Sequence, residues 1–216
     1  MLRHTRGFIF LFSFSILMLF ISMGIFSLTV AGEEPALASS DSGWVEQTPD
    51  PEGEDLISVS AADAYTAWAV SSHSILHTDD GGAAWTPQDM LNYYNWAVGA
   101  VDENKVWVVG SVDDWMPDNI QWSADGGDTW VRVDARLDAG AYLVDIAVLD
   151  ANTIWAVGSG ETIIKTTNGG WTWTLQNYIW PIMDEWLHGI SALDSETAWV
   201  VGSYGTILKT TDGGAN

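Results

Sequence analysis

Carboxylates are the residues of this chain most able to do chemistry, since it has 29 Asp and Glu against only seven Lys and Arg. Two facing carboxyl groups can hydrolyse a glycosidic bond, but so many acids form so many candidate pairs that none is singled out. The acidic run around Asp113, Asp114 and Asp118 offers oxygen ligands for Ca²⁺, although its spacing fits no EF-hand loop. The carboxylates alone therefore predict no catalytic residue.

The other candidate groups are few and scattered. Cys is absent, which excludes disulfides, thiolate metal sites and lipid attachment through Cys. His73, His77 and His188 lack the spacing of a metal site, and we expect His77 to be an ordinary exposed strand residue. No Ser lies in a Gly-x-Ser-x-Gly elbow, and the Gly pairs open no helix. We predict no metal, no cofactor and no enzymatic activity.

The net charge of −22 excludes one class of partner. Arg3 and Arg6 lie in the N-terminal leader, so five basic residues remain downstream. A surface that binds phosphates needs many Lys and Arg. We therefore predict no nucleic-acid partner.

The N-terminal 31 residues are typical of a signal for export. Arg3 and Arg6 precede an uncharged apolar run over residues 8–30. Its 23 residues are enough to span a bilayer, which would leave an uncleaved anchor in contact with the membrane. The small residues of Ala36-Leu37-Ala38 equally suit a cleavage site. Both outcomes place the rest on the periplasmic, extracellular or lumenal side, and residues 32–43 read as a linker.

A repeat organises the chain after this linker. Fourteen Trp and 21 Gly recur together, which favours an all-β repeat fold. Four segments share an apolar strand with a Trp, and an Asp stands five residues before each Trp. The repeated Trp residues are Trp68, Trp107, Trp155 and Trp199.

A Gly-rich turn follows each of these strands. The Asp or Asn positions of the four turns are separated by 45, 43 and 44 residues, which is the length of a four-stranded propeller blade. These positions are Asp80, Asp125, Asn168 and Asp212. Gly can adopt the positive φ that the turn needs, and the Asp side chain can cap backbone N–H groups. We predict four repeats, near residues 55–90, 91–138, 139–181 and 182–216. Each complete turn ends in a Trp that begins the outermost strand, namely Trp85, Trp130 and Trp173.

The turn pattern Ser/Thr-x-Asp-x-Gly-x-Thr-Trp resembles the Asp box, or BNR repeat, of sialidases, sortilin-type receptors and photosystem II assembly/stability factor propellers. The run from Trp199 to Gly214 most resembles the last group. Asn168 replaces the box Asp but keeps an oxygen that can cap the turn, and Ala84 replaces the box Thr. The resemblance covers roughly residues 44 to 216. It implies a seven-bladed β-propeller that scaffolds the assembly of other proteins, possible partners including a membrane-protein complex.

The number of blades in this chain leaves two alternatives. Trp44-Val45-Glu46-Gln47 matches the outer-strand pattern seen at Trp85 and Trp173, but no Asp box precedes it. We expect a chain truncated at its C-terminus that carries four of about seven blades. The alternative is a closed four-bladed ring that the strand at Trp44 completes.

Aromatic residues outside the repeated strand and turn positions are candidates for binding a partner. Loops between blades project from a rigid ring and commonly carry function, and aromatics beside acids suit a protein partner or a sugar ring. The repeated Trp residues are expected to pack between blades instead. The candidate binding rim is Tyr93, Tyr94, Trp115, Tyr178, Trp180 and Trp186.

The alternative function is a sialidase-like or carbohydrate-binding propeller. The sialidase mechanism needs an Arg cluster for the substrate carboxylate, and Arg132 and Arg136 are the only Arg after the leader. Both are predicted on or just after an outer strand, far from a central pocket. The resemblance therefore favours a non-catalytic scaffold over a glycosidase. The basic surface patch expected of photosystem II assembly factors is also missing here, which argues against a photosystem partner.

Overall fold

The computed structural model describes residues 43–47, 53–88, 94–111, 118–137, 141–176 and 186–215. The chain forms two compact units, Met1–Gln47 and Thr48–Asn216. In the first unit, residues 44–47 form no strand, so the strand predicted at Trp44 is not found. No helix within the described ranges has the length and apolar character needed to cross a membrane. The apolar run 8–30 lies outside those ranges.

The second unit is an all-β array of four antiparallel sheets, which we call blades 1 to 4. Blade 1 contains β1 (Leu56–Ala61), β2 (Ala67–Ser71), β3 (Ile75–Thr78) and β4 (Thr86–Pro87). Blade 2 contains β5 (Tyr94–Ala100), β6 (Val106–Ser111), β7 (Asp118–Ser123) and β8 (Val131–Asp134). Blade 3 contains β9 (Leu143–Val148), β10 (Ile154–Gly158), β11 (Ile163–Thr166) and β12 (Thr174–Leu175). Blade 4 contains β13 (Leu187–Ala192), β14 (Ala198–Gly202) and β15 (Ile207–Thr210).

Each blade is a meander in which strands that are consecutive in the chain pair with each other. The first turn carries the repeated Asp, whose side chain accepts hydrogen bonds from backbone N–H groups two and three residues on. In blade 4, Asp194 Oδ1 accepts from Glu196 at 2.8 Å and from Thr197 at 2.7 Å. The equivalent acceptors are Asp63, Asp102 and Asp150. The repeated Asp is therefore the residue that closes this turn.

The blades pack face to face in chain order, as in a propeller. The innermost strand of each blade, β1, β5, β9 or β13, lies against the innermost strand of the next. Three apolar clusters fill the three seams between blades. Trp68, Trp107 and Trp155 are at most 1% exposed in these seams, which confirms that they pack between blades. Trp199 of blade 4 differs, since 48% of its surface is exposed.

Each Asp box is closed by hydrogen bonds to the side chain of its Asp or Asn. Asp125 Oδ1 accepts hydrogen bonds from the hydroxyl of Ser123 at 2.7 Å and from the backbone N–H of Thr129 at 2.9 Å. Asn168 makes the same bonds with Thr166 at 2.9 Å and Thr172 at 3.0 Å. Asp80 and Asp212 likewise accept from Thr78 and Thr210. The outer strands begin one residue after Trp85, Trp130 and Trp173, and these three Trp are half-buried.

Polar side chains also tie neighbouring innermost strands together. The backbone N–H of Val98 donates to Ser58 Oγ at 3.2 Å across the first seam. At the same register in the third seam, Ile190 donates to Asp145 Oδ2 at 2.7 Å. Burial raises the pKa of Asp145, although the hydrogen bond from Ile190 opposes that shift. These bonds satisfy backbone donors that a seam between separate sheets would otherwise leave unpaired.

Candidate binding rim

One edge of the array gathers side chains that face solvent at equivalent places in successive blades. In an antiparallel meander, the start of the first strand, the end of the second and the start of the third lie at the same edge. We call this the upper edge. The turns closed by the repeated Asp and the Asp boxes lie at the opposite, lower edge.

Three aromatic residues occupy one repeated position at the upper edge. Tyr94 begins β5, Tyr142 directly precedes β9, and Trp186 directly precedes β13. Each lies 13 residues before the repeated Trp of its blade. Blade 1 has Asp55 at this position. We call Tyr94, Tyr142 and Trp186 the aromatic rim.

The backbone holds the rim residues in place. Ser159 and Ser203, at the ends of the second strands, donate their backbone N–H groups to the carbonyls of Tyr142 at 2.9 Å and Trp186 at 2.8 Å. The backbone N–H of Tyr142 in turn donates to Ser159 Oγ at 2.8 Å. The backbone of these rim residues is thus hydrogen-bonded to the ends of neighbouring strands, which restricts the orientation of their rings.

Two of the three rim rings contact each other across a seam. The ring of Trp186 in blade 4 stacks on the ring of Tyr142 in blade 3, with centroids 5.8 Å apart and planes inclined by 18°. Tyr94 is 47% exposed and Trp186 is 37% exposed. Together they present an apolar strip with polar tips, the kind of surface that aromatic anchors provide at protein interfaces.

A polar network flanks the rim in blade 1. His73 Nδ1 lies 2.8 Å from Glu54 Oε1, and the His73 ring meets the ring of Tyr94 edge to face at 4.8 Å. The hydroxyl of Ser71 donates to the second carboxylate oxygen of Glu54. This hydroxyl, followed by the ring and backbone N–H of His73, lowers the pKa of Glu54, although desolvation opposes the shift. The network orients His73 and so holds Tyr94 in position.

Ser71, Glu54 and His73 do not form a catalytic triad. A nucleophilic Ser must hydrogen-bond to the His ring that removes its proton. Here the Ser71 hydroxyl donates to the carboxylate, and the contact of His73 with Ser71 is made by its backbone N–H at 3.2 Å. The carboxylate separates the two groups, so this arrangement orders a loop and does not activate a nucleophile.

The charges around the rim are mainly negative. Glu54 and Asp55 precede β1, and Glu161 lies in the hairpin between β10 and β11 at the same edge. Arg136 follows the outermost strand of blade 2, at the periphery of this edge. Lys165 and Lys209 lie within third strands, over the rings of Trp155 and Trp199. The rim therefore suits a ligand with basic and apolar groups.

The lower edge carries an acidic cavity of about 470 Å³ between blades 1 and 2. Its lining residues are Asp63, Tyr65, Thr66, His77, Asp79, Glu103 and Asn104. Among the residues described, no three His, Asp or Glu side chains are placed to hold a metal ion. His77 lies here half-buried, since its ring stacks on Trp68 at 4.0 Å. Burial lowers the pKa of His77, and the expectation of an ordinary exposed residue was therefore wrong.

The structure places only part of the predicted rim. Tyr94 and Trp186 share one repeated position and were wrongly placed outside the repeat register. Tyr142 was missed, although its spacing of 13 residues from Trp155 could have revealed it. Four predicted rim residues lie outside the described ranges, namely Tyr93, Trp115, Tyr178 and Trp180, and so does most of the acidic run at 113–118. Arg132 lies in the outer strand β8, as predicted.

Comparison with known proteins agrees with this architecture. The family model described as photosynthesis system II assembly factor YCF48 matches residues 134–216. The photosystem II assembly lipoprotein Ycf48 of Synechococcus sp. (strain CC9902) is 29% identical over 109 residues, which are 48% of this chain and 31% of that protein. The chain thus spans about a third of this curated relative. The matched family and the relative are both assembly factors of photosystem II.

Solved structures share the fold. YCF48 from Cyanidioschyzon merolae is 22% identical with a TM-score of 0.60, covering 79% of this chain and 57% of that chain. YCF48 bound to D1 peptide is 16% identical with a TM-score of 0.51, covering 72% of this chain and 64% of that chain. An ancestral GH74 enzyme is 18% identical with a TM-score of 0.60, covering 76% of this chain but 24% of its own. The chain is therefore a β-propeller similar to the photosystem II assembly factors.

Proposed function

We propose that this chain is an exported, non-catalytic scaffold that binds a segment of another protein along its aromatic rim. The observation that carries the proposal is the recurrence of Tyr94, Tyr142 and Trp186 at one position of three consecutive blades. Side chains repeated at a blade spacing form a row along one edge, which suits an extended peptide better than a compact small molecule. The propeller supplies the rigid mount.

The charge of the rim defines the partner further. Glu54, Asp55 and Glu161 surround the aromatic rings, and Arg136 lies at the periphery. The partner segment therefore carries basic side chains beside apolar ones, because the charges on the two sides of an interface complement each other. A subunit of a membrane-protein complex is the partner class that the similarity to assembly factors favours. The D1 peptide held by a solved YCF48 structure is the probe to use first.

Binding of a labelled D1 peptide by the full chain, measured by fluorescence anisotropy, tests the proposal. Trp186→Ala and Tyr94→Ala are each expected to weaken binding about tenfold or more, since exposed aromatic anchors dominate interfaces. Trp171→Ala is the matched control, because Trp171 is 68% exposed but lies in the Asp box at the lower edge. Equal losses for Trp186→Ala and Trp171→Ala would refute the rim.

The same variants separate the partner classes. If the D1 peptide fails to bind, a peptide array that includes basic and apolar segments finds the partner, and the failure would exclude D1 without excluding the rim. Replacing Trp115, Trp180 and Trp186 together by Ala is expected to abolish capture without lowering the midpoint of thermal unfolding. Binding to a glycan array and to no peptide would instead support the carbohydrate alternative.

A further inference from the structure

The three seams between blades differ at one position of the repeat. This position lies opposite the repeated Trp, in the strand pair that the second and third strands of each blade form. It is held by His77 in blade 1, Trp122 in blade 2 and Lys165 in blade 3. Their partners in register are Trp68, Trp107 and Trp155. We call His77, Trp122 and Lys165 the seam residues.

Lys165 has two roles in the seam between blades 3 and 4. Its ammonium group lies 4.5 Å from the centre of the Trp155 ring. The same group donates to the backbone carbonyl of Ser195, in the lower turn of blade 4. A Cβ on Gly213, in the Asp box of blade 4, would lie 2.9 Å from Lys165 Nζ. The side chain therefore covers the buried Trp of its own blade and bridges to the lower turn of the next blade.

Trp122 closes the second seam by its size. Its ring lies nearly parallel to the ring of Trp107, with centroids 6.4 Å apart, and only 8% of Trp122 is exposed. The ring also meets Trp171, in the Asp box of blade 3, edge to face at 5.5 Å. In this seam too, the seam residue covers the repeated Trp and reaches the next blade.

His77 covers its Trp without a hydrogen bond to the next blade in the described part of the chain. Its ring stacks on Trp68, with centroids 4.0 Å apart and planes inclined by 19°. Its Nε2 is buried and has no hydrogen-bond partner among the residues that the structure describes. Glu103 is the counterpart of Ser195, since each follows the repeated Asp of its turn. The acidic cavity of about 470 Å³ has both His77 and Glu103 in its lining, so it lies where the third seam has its bridge.

The lining of this cavity suits an organic cation. Asp63, Asp79 and Glu103 contribute carboxylates to it, and Tyr65 adds an aromatic ring. The backbone N–H of Tyr65 lowers the pKa of Asp63, and burial lowers the pKa of His77. At neutral pH the carboxylate is therefore charged and the imidazole is neutral. The lining residues, all of which the structure describes, include no Lys or Arg.

The third seam indicates which cation fits. There the chain itself places a primary ammonium group, at the end of an alkyl chain, against a backbone carbonyl of the next blade. An ammonium group has three N–H donors, and the carbonyl of Glu103 and the lining carboxylates are acceptors. A metal ion needs several converging ligands, and no three His, Asp or Glu side chains within the described ranges provide them.

We propose that this cavity binds a primary alkylammonium group, supplied by a free amine or by a lysine side chain of another protein. The ammonium group donates to the carbonyl of Glu103 and to the carboxylate of Asp79, and its alkyl chain lies beside the rings of His77 and Tyr65. It thereby makes the bridge between blades 1 and 2 that Lys165 makes between blades 3 and 4. The cavity lies at the lower edge, so binding there does not depend on the aromatic rim.

Binding of n-butylammonium to the full chain in a non-ionic detergent, measured by saturation-transfer NMR, tests the proposal. The wild type is expected to bind this probe saturably. Tetramethylammonium should bind at least about tenfold more weakly, because it has the same charge but no N–H group to donate. Equal binding of the two cations, or no binding of n-butylammonium, overturns the proposal.

Three variants locate the binding. His77→Lys supplies the ammonium group that blade 3 already has, and should abolish binding of n-butylammonium. Asp79→Asn removes a lining carboxylate and should weaken binding about threefold or more. Asp128→Asn is the matched control, because Asp128 is exposed in the Asp box of blade 2 but does not line the cavity, and should leave binding unchanged. Undiminished binding by His77→Lys, or equal losses in the two Asn variants, overturns the proposal.

Lys165→Ala tests the equivalence of the first and third seams. This variant should unfold at a lower temperature and regain part of the loss in n-butylammonium chloride, because a ligand that binds only the folded state stabilises it. Tetramethylammonium chloride at the same concentration is the control. If n-butylammonium restores no more of the lost midpoint than this control does, the equivalence and the proposal are wrong.

A second probe distinguishes the two sources of the ammonium group. Nα-acetyl-lysine methylamide carries the same alkylammonium group on a peptide unit. Tighter binding of this probe than of n-butylammonium assigns the cavity to a lysine of a protein partner, whereas the reverse order assigns it to a free amine. Binding of neither probe overturns the proposal.

Discussion

The indole Nε1 of Trp107 donates a hydrogen bond to the backbone carbonyl of Gly169 at 3.4 Å, across the seam between blades 2 and 3. The next residue, Gly170, has a φ of +90°, and a Cβ there would lie 2.9 Å from the same nitrogen. The buried Trp of one blade therefore packs directly against the Gly pair in the Asp box of the next blade. Gly is needed in the box for contact as well as for its backbone conformation.

Gly170→Ala is expected to destabilise the protein more than Gly160→Ala. Both positions have positive φ, which costs a non-Gly residue about 1–2 kcal/mol. A Cβ at Gly160 meets nothing within 4 Å, whereas a Cβ at Gly170 adds overpacking, typically about 1–3 kcal/mol. Urea unfolding followed by Trp fluorescence measures the difference. Equal losses of unfolding free energy in the two variants would show that the Trp107 ring can move aside without an energetic cost.

Trp155→Ala is expected to lower the free energy of unfolding by about 3–5 kcal/mol, the usual cost of removing a buried aromatic side chain. Trp155 is 1% exposed and packs between blades 3 and 4. Trp171→Ala is the control, because Trp171 is 68% exposed and contacts the ring of Trp122 edge to face. That contact contributes at most about 1.5 kcal/mol. A loss for Trp171→Ala as large as for Trp155→Ala would contradict the assignment of Trp155 to the core.

Asp125→Asn is expected to preserve the Asp box, whereas Asp125→Ala should lower the midpoint of thermal unfolding. The third box supplies the reason, because Asn168 accepts the same two hydrogen bonds and its Nδ2 donates to the Thr172 hydroxyl at 2.8 Å. Alanine has no atom to accept from the backbone N–H of Thr129. Differential scanning calorimetry of the two variants at neutral pH provides the measurement. An Asn variant as unstable as the Ala variant would mean that the negative charge is essential.

Acid is expected to weaken the fold through the same boxes. The backbone N–H of Ala84 lowers the pKa of Asp80, and the hydroxyl of Thr129 lowers the pKa of Asp125. Both carboxylates are thus protonated more readily in the unfolded chain, whose ordinary Asp pKa is 3.8. Their contribution to stability is complete above 3.8 and is lost as the pH falls below that value toward the folded pKa.

Urea unfolding at neutral pH and at about pH 3 checks this dependence. The free energy of unfolding should fall on acidification, and Asp125→Asn should show a smaller fall than the wild type. Asp145 works in the opposite direction, because burial raises its pKa and protonation then favours the folded state. Asp145→Asn is therefore expected to make the fall steeper. A wild type that gained stability in acid would show that Asp145 outweighs the boxes.

The fold was predictable because the same pattern of Asp, Trp and Asp box occurs four times in the sequence. The Asp that stands five residues before each repeated Trp closes the same turn in every blade, and each Asp box makes the same hydrogen bonds. The strand at Trp44 was predicted from four letters alone. Those letters fit an outer strand, but residues 44–47 form no strand, because a strand also depends on pairing with a neighbouring strand, which four letters do not specify.

The rim was predicted in part, since aromatic type alone marked Tyr94 and Trp186 but not their shared position. Tyr142 lies between Ala141 and Leu143, where neither a Pro nor an insertion marks the position as a loop. His77 could not be placed from sequence, because its burial depends on the Trp68 ring across the strand pair. Contacts that cross from strand to strand or blade to blade become visible only when the register is known.

The contact between the Trp of one blade and the Gly pair of the next blade has an evolutionary consequence. Trp68 packs on Gly127 in the box of blade 2, and Trp107 packs on Gly170 in the box of blade 3 through different atoms of the indole ring, so the contact recurs with different units supplying the turn. A gene that gains or loses one unit of about 44 codons creates a new junction whose surfaces already match. Duplication or deletion of a whole unit is thus tolerated. The loss of half a unit would leave the repeated Trp of one blade without an Asp box to contact.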